Sequence, residues 1–561
     1  MQTPIQSERE GTFVEKPLEN KAFERLLTRL GGDTLSFPHP VEKLEVVQTH
    51  ISIVLLTETF AYKIKKPVSF PFVDYSTLEL REKFCHLELD LNRRLTEDIY
   101  LEVVPITRVG TRLSIGGAGK IVEYAVKMRR LPDDRRLSRL LETGGLPESF
   151  WSRLANRLAF FYGNASKGPA VSKWAELQAV AEDWRQILDQ LEFFPPAILN
   201  PSLWKRLDVL SEENLDQKKG RISLRTKTAR DGHGDLRMEH IYYFPDNPEP
   251  RDIAVIDCVE FNPRYRCCDP LSDAAFLTMD LETGGYKDQA VLFSHEFLKI
   301  NGVNSNYLVD FYTAYRHLVR GLVRGLQAQD PEESPQNQDR ARKKAHLHFL
   351  LALGKMEKPE RKPCLILLGG LPGTGKSSLA RHFSGKEEFR VFSSDVVRKE
   401  LTGSPLISRP GAGFEKGIYK PEWTEKTYAS LLQRTGESLL KGERVIVDAS
   451  FTSEAWRKHF ENLANSLGIP FLFFVCMVSH ETAERRLSEA RHFGSDADMG
   501  IYRKMAGKWD PPSSELGTLF LNTERPLQVN LSEINRTLEQ KGLTKSVPLR
   551  PVGIDKNFLH F

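Results

Sequence analysis

The chain has 561 residues, a length that is too great for one ordinary domain and predicts two or three. Hydrophobic residues make up 40% and charged residues 27%, a balance that is typical of soluble globular proteins. The formal net charge of +4 is too small for charge alone to indicate a nucleic-acid partner.

The cysteines and the start of the chain predict the compartment. The six cysteines form no CxxC pair, and the adjacent Cys267 and Cys268 are poorly spaced for zinc. This pattern fits a reducing cytoplasm better than a disulfide framework. The first residues lack the apolar stretch of a signal peptide, and no apolar run is long enough to span a bilayer. We therefore expect a cytoplasmic protein without a membrane partner.

The N-terminal half predicts a small lobe of strands with one helix. Residues 1–38 are polar and mixed, and we expect a flexible segment there. The predicted helix Thr77–Leu95 carries apolar residues at helical spacing. The predicted strands are His50–Leu56, Thr59–Ile64, Tyr100–Ile106 and Val122–Met128. A mostly helical pattern follows, with short strands near Ile241–Phe244 and Ile253–Asp257.

Two acids in this half form a pattern with chemical meaning. Asp235 lies in the loop GHGD, and Asp257 ends a later predicted strand and is the third residue of the segment VIDCVEFN. In kinase-like sites one such carboxylate accepts the proton of the acceptor, while the other holds Mg²⁺ on the phosphates. We assign Asp235 as the base and Asp257 as the metal ligand. Lys63 and Lys65 lie on the same face of a strand, so only one need face the phosphates; we favour Lys63, with Glu88 as its partner.

Two features of this half depart from the usual kinase pattern. His240 is the fifth residue after Asp235, where such sites have an asparagine ligand, and imidazole suits Mg²⁺ less well than an amide oxygen. No GxGxxG loop precedes Lys63, because residues 57–60 (TETF) occupy the expected turn. Three interpretations remain open: a slow kinase, a kinase with one metal, and a nucleotide-binding or regulatory domain.

The pattern changes after Glu357–Pro363, a charged stretch with two prolines that we take as a domain boundary. Continuous apolar runs then alternate with helical patterns such as Thr424–Leu440 and Glu481–Arg491. Runs of this kind are typical of strands buried on both faces of a parallel sheet, so the segment predicts a doubly wound α/β domain. The predicted strands are Cys364–Leu368, Phe389–Phe392, Val445–Val447 and Phe471–Val478.

A phosphate-binding loop follows the first of these strands. The segment GLPGTGKS fits GxxxxGK[ST] in full and opens a helix, which is the context that supports the motif. Glycines let backbone N–H groups form an anion-binding nest, and the helix N-terminus adds partial positive charge. We expect Lys376 to reach the outer phosphates of ATP and Ser377 to ligate Mg²⁺. The predicted nucleotide-binding residues are Gly370, Leu371, Pro372, Gly373, Thr374, Gly375, Lys376, Ser377 and Ser378.

Charged residues follow the later strands. Asp395 is placed to accept a proton from the acceptor hydroxyl, and Arg398 to hold an anionic group of the acceptor; a helix cap is the alternative for Asp395. Asp448 ends the third strand and is placed to hold Mg²⁺ or its water. Arg486 and Arg491 are candidates for a lid that neutralises phosphoryl charge, with a solvated helix face as the alternative.

These residues support a resemblance to known families. GGLPGTGKSS, SSDVVRKEL, VIVDASF and the arginine-bearing lid resemble the P-loop kinase group that includes polynucleotide 5′-hydroxyl kinases, gluconate kinase and zeta-toxin-like kinases. The resemblance implies that Asp395 acts toward the acceptor hydroxyl. AYKIKKPVSF, GHGDLRMEH and VIDCVEFNP resemble aminoglycoside phosphotransferase-like domains. Residues 40–531 resemble bacterial proteins that fuse the two, called bifunctional aminoglycoside phosphotransferase/ATP-binding protein or AAA family ATPase.

The predicted fold is thus a protein-kinase-like bilobal domain followed by a doubly wound P-loop domain with a parallel sheet. The predicted segments are 1–38, a flexible start; 39–357, the kinase-like domain; 358–363, a linker; 364–535, the P-loop domain; and 536–561, a tail. The predicted function is ATP- and Mg²⁺-dependent phosphoryl transfer to a hydroxyl of a small-molecule or nucleotide-type acceptor, chiefly at the P-loop site.

Two alternatives to this function stay open. One is a regulatory switch that hydrolyses ATP. The other is a polynucleotide 5′-hydroxyl kinase, whose basic groove would draw on Lys399, Arg409, Lys416 and Lys420; scattered solvated charge is the competing interpretation of these residues. The sequence does not indicate the acceptor, any coupling between the two sites, or the oligomeric state.

Overall fold

The computed structural model describes residues 36–70, 73–96, 98–303, 307–386, 388–403, 421–490, 499–512 and 518–545. Within these ranges the chain packs into two compact units. The first comprises the residues up to 183 together with 218–313, and the second comprises 184–217 together with the residues from 314 onward. Each unit contains its own β-sheet.

The first unit is built on an antiparallel sheet. Its strands are β1 Glu45–Gln48, β2 Ser52–Leu56, β3 Phe60–Lys65, β6 Tyr100–Val109, β7 Arg112–Ile115 and β8 Lys120–Arg129, beside a short pair, β4 Ser69–Phe70 and β5 Val73–Asp74. The described strands pair in the order β1-β2-β3-β8-β6-β7. Lys63 and Lys65 follow each other at a spacing of two on β3, so both side chains lie on the same face of the sheet.

Helix α1, Leu78–Arg93, packs on this sheet. It begins at Thr77, whose side-chain oxygen accepts a hydrogen bond from the backbone N–H of Leu80. Its buried face carries Cys85 and Leu89, which join the apolar cluster under the sheet. Glu88 lies on the same buried face, so the helix brings one carboxylate under β3.

Helices make up most of the segment between residues 137 and 356. They are α2 Leu137–Thr143, α3 Phe150–Asn164, α4 Pro169–Ser172, α5 Leu177–Leu191, α6 Pro201–Arg225, α7 Pro263–Arg266, α8 Pro270–Thr283, α9 Lys287–Ile300, α10 Tyr307–Gln327 and α11 Pro335–Met356. The short strands β9 Arg230–Asp231 and β12 Cys267–Cys268 pair with each other, as do β10 Ile241–Tyr243 and β11 Ile253–Val255. The antiparallel β10–β11 hairpin brings the segment before Ile241 beside the segment after Val255.

The second unit is built on a parallel sheet. Its strands are β13 Leu365–Gly369, β14 Phe389–Ser393, β15 Arg444–Asp448, β16 Phe471–Met477 and β17 Thr518–Asn522. The described strands pair in the order β14-β15-β13-β16-β17, all in parallel. Its helices after α11 are α12 Lys376–Lys386, α13 Ser394–Thr402, α14 Pro421–Leu439, α15 Glu454–Ser466, α16 His480–Ala490, α17 Met499–Ala506 and α18 Leu527–Gln540.

Helical residues from before the predicted linker also pack in the second unit. Arg206 on α6 donates to the backbone oxygens of Gly442 at 2.8 Å and Arg361 at 2.7 Å. It also donates to the carboxylate of Glu357 at 2.8 Å. Gly442 packs closely against α11, because a Cβ there would lie 2.6 Å from a terminal methyl carbon of Leu353. Compactness therefore groups residues 184–217 and 314–357 with the P-loop sheet, although the sequence pattern places them in the preceding domain.

The architecture confirms the predicted fold class. The first unit combines an antiparallel sheet, an adjoining helix and a helical part, as a kinase-like domain does, and the second is an α/β domain on a parallel sheet. The predicted strands and helices correspond to β2, β3, β6, β8, α1 and β13 to β16. Among the described residues, no helix combines the length and the apolar composition needed to cross a bilayer.

The core of the parallel sheet supplies a stability prediction. Phe474 on β16 is buried in the apolar cluster with Ile366 and Ile446, whereas Phe520 on β17 is 46% exposed. We expect Phe474→Ala to lower the free energy of unfolding by about 3–5 kcal/mol, because it leaves a cavity among packed side chains. Phe520→Ala is the matched control and should cost far less. Denaturant unfolding of the full chain checks both, and equal losses would contradict the assigned core.

Candidate active sites

The loop after β13 has the conformation of a phosphate-binding loop. Gly370, Gly373 and Gly375 have φ values of +136°, +77° and +88°, a region that favours glycine. A Cβ at Gly370 would lie 2.5 Å from the backbone oxygen of Cys476, so no larger residue fits there. Such a run of turns aims backbone N–H groups at one point, which is the geometry of an anion-binding nest.

Three side chains meet at this loop. Ser377 Oγ donates to Asp448 Oδ2 at 2.6 Å, and Lys376 Nζ donates to the backbone oxygen of Leu371 at 2.9 Å. Burial raises the pKa of the Asp448 carboxyl, and Lys376 and Ser377 offset part of that rise. A hydroxyl beside a carboxylate is a hard-oxygen donor set, so these residues fit Mg²⁺ at the end of the loop.

Asp395 and Arg398 lie one helical turn apart on α13, at the end of β14. Arg398 Nη1 is 3.4 Å from Asp395 Oδ1, and the Asp395 side chain is 71% exposed. The helix begins after Ser393, which occupies the N-cap position, so the alternative interpretation of Asp395 as the cap residue is wrong. The carboxylate therefore faces solvent at the same edge of the sheet as Asp448.

Arg486 reaches the phosphate-binding loop from α16. Its Nη2 donates to the backbone oxygen of Thr523 at 2.7 Å, and Thr523 Oγ1 donates to the backbone oxygen of Thr374 at 2.6 Å. The Cβ position of Gly375 lies 3.6 Å from Arg486 Nη1. Arg491, the other predicted lid arginine, lies outside the described residues, as do the basic residues Arg409, Lys416 and Lys420.

Sequence reasoning missed two contributors to this site. Thr523 directly follows β17, and its position at a strand end of the parallel sheet was the available signal. The hydroxyl of Tyr428 on α14 forms a hydrogen bond with Ser450 Oγ at 3.2 Å. It also accepts a hydrogen bond from the backbone N–H of Phe451 at 3.0 Å. Its ring stacks on Trp456 with centroids 5.3 Å apart. No motif marks this pair.

In the first unit, Asp235, His240 and Asp257 form a cluster of potential metal ligands. One ligand atom from each lies within 4.8 Å of the others. His240 Nε2 is 3.4 Å from Asp257 Oδ2, and His240 Nδ1 is 2.9 Å from the backbone oxygen of Asp235. Arg237 Nε lies 3.0 Å from Asp235 Oδ1. Two carboxylates and an imidazole nitrogen can hold a divalent cation, so the cluster fits a metal here too.

Lys63 lies at the centre of the charges around this cluster. Its Nζ donates to Asp257 Oδ1 at 2.6 Å and to Glu88 Oε1 at 2.7 Å, so the predicted pairing with Glu88 is present. Burial by itself would raise the pKa of Asp257. The charges of Lys63, and then of His240, outweigh that effect and bring the pKa well below its usual value. Asp257 has φ +64°, a strained conformation that the hairpin and these ionic contacts hold in place.

Asp273 on α8 holds the loop that carries Asp235. Its carboxylate accepts the backbone N–H of His233 at 2.6 Å and of Gly234 at 2.9 Å. Tyr162 donates to the same carboxylate at 2.9 Å. A buried acid of this kind orients the loop without reaching the cluster. It gives no local signal in the sequence, because Asp273 lies 40 residues after His233.

Comparisons with known proteins relate the chain to one family model and to an uncharacterized relative. A family model described as AAA domain matches residues 365–512. The uncharacterized protein Rv2004c of Mycobacterium tuberculosis is 30% identical over 482 residues, which cover 84% of this chain and 92% of that protein.

Solved structures match each half of the chain. A gluconokinase from Sinorhizobium meliloti 1021 is 19% identical, with 32% of this chain and 95% of that chain covered and a TM-score of 0.24. The GDP complex of aminoglycoside 2′-phosphotransferase-IIIa is 15% identical, with 59% and 98% covered and a TM-score of 0.38. At this level of similarity neither structure supports a conclusion about activity.

Gly370→Ala tests the loop geometry. The added methyl group would meet a backbone oxygen at 2.5 Å and would place alanine at φ +136°, so we expect a lower melting temperature and loss of Mg·ATP binding at this site. Gly354→Ala, in helix α11 with open space around the new methyl group, is the control. It should be neutral or stabilise by roughly 0.5–1 kcal/mol. Thermal unfolding and calorimetry give both readouts, and unchanged binding in Gly370→Ala would contradict the assignment.

Proposed function

We propose that this chain, which belongs to the same family as the uncharacterized protein Rv2004c of Mycobacterium tuberculosis, is an ATP-dependent phosphotransferase. The reaction transfers the γ-phosphoryl group of ATP to a hydroxyl of a small-molecule or nucleotide-type acceptor, chiefly at the P-loop site. The observation that carries the proposal is the contact of Ser377 with Asp448 beside Lys376, at the sheet edge that also bears Asp395.

In an in-line transfer, each residue of the P-loop site has a separate role. Bound Mg·ATP supplies the γ-phosphoryl group and a divalent charge. Lys376 would exchange its contact with Leu371 for a phosphate oxygen, and Ser377 and Asp448 would hold the metal ion. Asp395 accepts the proton of the acceptor hydroxyl while the oxygen of that hydroxyl bonds to the γ-phosphorus. The bond between the γ-phosphorus and the bridging oxygen, which leaves with ADP, breaks at the same time.

Two arginines are placed to balance charge during this transfer. Arg398 is largely buried behind Asp395, so it can orient that carboxylate or an anionic group of the acceptor. Arg486 is held beside the phosphate-binding loop by Thr523 and can neutralise charge on the transferred group. Positioning and electrostatics of this kind account for most of the catalysis in phosphoryl transfer.

The proposal includes a second nucleotide site in the first unit. The supporting observation is that ligand atoms of Asp235, His240 and Asp257 lie within 4.8 Å of one another and that Lys63 contacts Asp257. Asp235 would be the base and Asp257 the metal ligand, as in kinase-like sites. His240 offers a nitrogen donor in place of the usual amide oxygen, so this site should hold Mg²⁺ less tightly than an all-oxygen site would.

Lys376→Ala is the first test. Loss of the ammonium group should lower γ-phosphoryl transfer by roughly 10²–10³-fold, since it removes a donor aimed at developing charge. Lys541→Ala, which removes an exposed lysine at the end of α18, is the control and should retain activity. The assay is transfer from γ-labelled ATP to sugars, aminoglycosides, nucleosides and 5′-hydroxyl oligonucleotides. Transfer that survives Lys376→Ala but not Asp235→Asn would mean that the first unit carries the main activity.

Asp395→Asn separates transfer from hydrolysis. An amide cannot accept the proton, so we expect kcat for transfer to fall by roughly 10²–10⁴-fold with little change in the KM for ATP. The neighbouring exposed acid Glu400, changed to Gln, is the control. ATP hydrolysis that ignores every acceptor and does not respond to Asp395→Asn would favour the regulatory switch instead.

A further inference from the structure

A buried chain of alternating charges runs beside the second nucleotide site. Lys63 Nζ contacts Asp257 and Glu88 Oε1, while Lys65 Nζ contacts Glu88 Oε2 at 2.7 Å and also Glu260 Oε1. Tyr75 donates its hydroxyl hydrogen to Glu260 Oε1 at 2.5 Å. We call this set the buried ion chain; its members in order are Asp257, Lys63, Glu88, Lys65 and Glu260.

The two lysines have different surroundings. The side chain of Lys65 is 0% exposed, whereas that of Lys63 is 15% exposed and borders the partly exposed Asp257. Burial alone would lower the pKa of Lys65, but Glu260 and Glu88 raise it well above its usual value, so the group stays an ammonium ion. A buried ammonium with carboxylates and a phenol around it has no access to a ligand in the site.

The ion chain ties three elements together. Lys63 and Lys65 belong to β3, Glu88 belongs to α1, and Asp257 and Glu260 belong to the segment after β11. Glu88 divides its two oxygens between the two lysines, so its position does not depend on Lys63 alone. Lys63 can therefore turn from Asp257 to a phosphate oxygen while Glu88 keeps a buried counter-charge.

We propose that Lys65 is a positioning residue of the second nucleotide site, an inference that rests on the function proposed for that site. Lys65 holds Glu88 and Glu260 in place, so that helix α1 and the segment after β11 stay docked on β3 without nucleotide. Lys63 then meets the phosphates of the nucleotide from a preorganised position. Tyr75 completes the arrangement by donating to Glu260, which contacts one lysine, Lys65, within the buried ion chain.

The test uses the full chain in a Lys376→Ala background, so that Mg·ATP binding reports the second site. We expect Lys65→Met to weaken Mg·ATP binding about tenfold or more and to speed amide hydrogen exchange in α1 and in residues 257–260. Lys66→Met, the next residue, whose ammonium lies 3.4 Å from Gln48, is the matched control and should change neither readout.

A double variant separates positioning from folding. Lys65→Met alone leaves Glu260 buried without its lysine, whereas Lys65→Met with Glu260→Gln removes both charges and should restore the melting temperature. If Lys65 acts by positioning Glu88 and Glu260, Mg·ATP binding stays weak in this stable double variant. Positioning also requires that adding Lys65→Met to Lys63→Met causes little further loss, because Lys65 acts through Lys63.

Two results overturn the proposal: parental Mg·ATP affinity in the stable double variant, or additive losses from Lys63→Met and Lys65→Met, which would make Lys65 a direct phosphate ligand. Unchanged exchange in α1 after Lys65→Met also overturns it. If the Lys376→Ala parent binds no Mg·ATP while Lys65→Met still loosens α1, the docking role of Lys65 holds and the nucleotide function proposed for the first unit fails.

Discussion

The hydrogen bond from Ser377 to Asp448 depends on the register of the parallel sheet. β13 and β15 run side by side with Leu368 opposite Asp448, so the loop after one strand begins where the other ends. β14 adds Ser393 at the same level, and α13 then lifts Asp395 just beyond the edge. Parallel strands collect their carboxyl ends at one edge, and this constraint gathers residues that are more than 70 positions apart in the chain. Each role proposed for the P-loop site uses that edge.

Each of the two sites contains a carboxylate whose burial is compensated, and the compensating groups differ between the sites. Burying a carboxylate is costly unless hydrogen bonds or counter-charges compensate it. At the P-loop, Asp448 has a hydroxyl partner and a raised pKa, which suits an acid that completes its environment by taking a metal ion. In the first unit, Asp257 has a direct ammonium partner and a lowered pKa, so its charge is already compensated. The acid of the first unit thus contacts an ammonium counter-charge before any ligand binds, whereas Asp448 contacts a neutral hydroxyl.

The family relationship leaves the chemistry to be argued from the sites. The relative Rv2004c matches most of both chains but carries no described activity, so residue geometry has to distinguish a phosphotransferase from a switch. An exposed acid with an arginine behind it can accept the proton of an acceptor hydroxyl or of water, so acceptor dependence distinguishes the two functions. In the first unit, Lys63 contacts Glu88, and Asp235, His240 and Asp257 lie close together, which is the arrangement from which the second site is proposed.

The sequence by itself determined the features that are encoded locally. The run CLILL, the glycines of the phosphate-binding loop and the acids that end strands follow from short-range rules of burial and backbone conformation, and they predicted the P-loop domain, its nucleotide residues and the kinase-like pattern. Only the tertiary structure decided which distant residues meet. Lys63 and Lys65 share one face of β3 by periodicity, yet their different partners depend on where α1 and residues 257–260 pack. Asp273, Thr523 and Tyr428 also join the sites through packing, because contacts between residues far apart in the chain depend on shape and charge across whole elements.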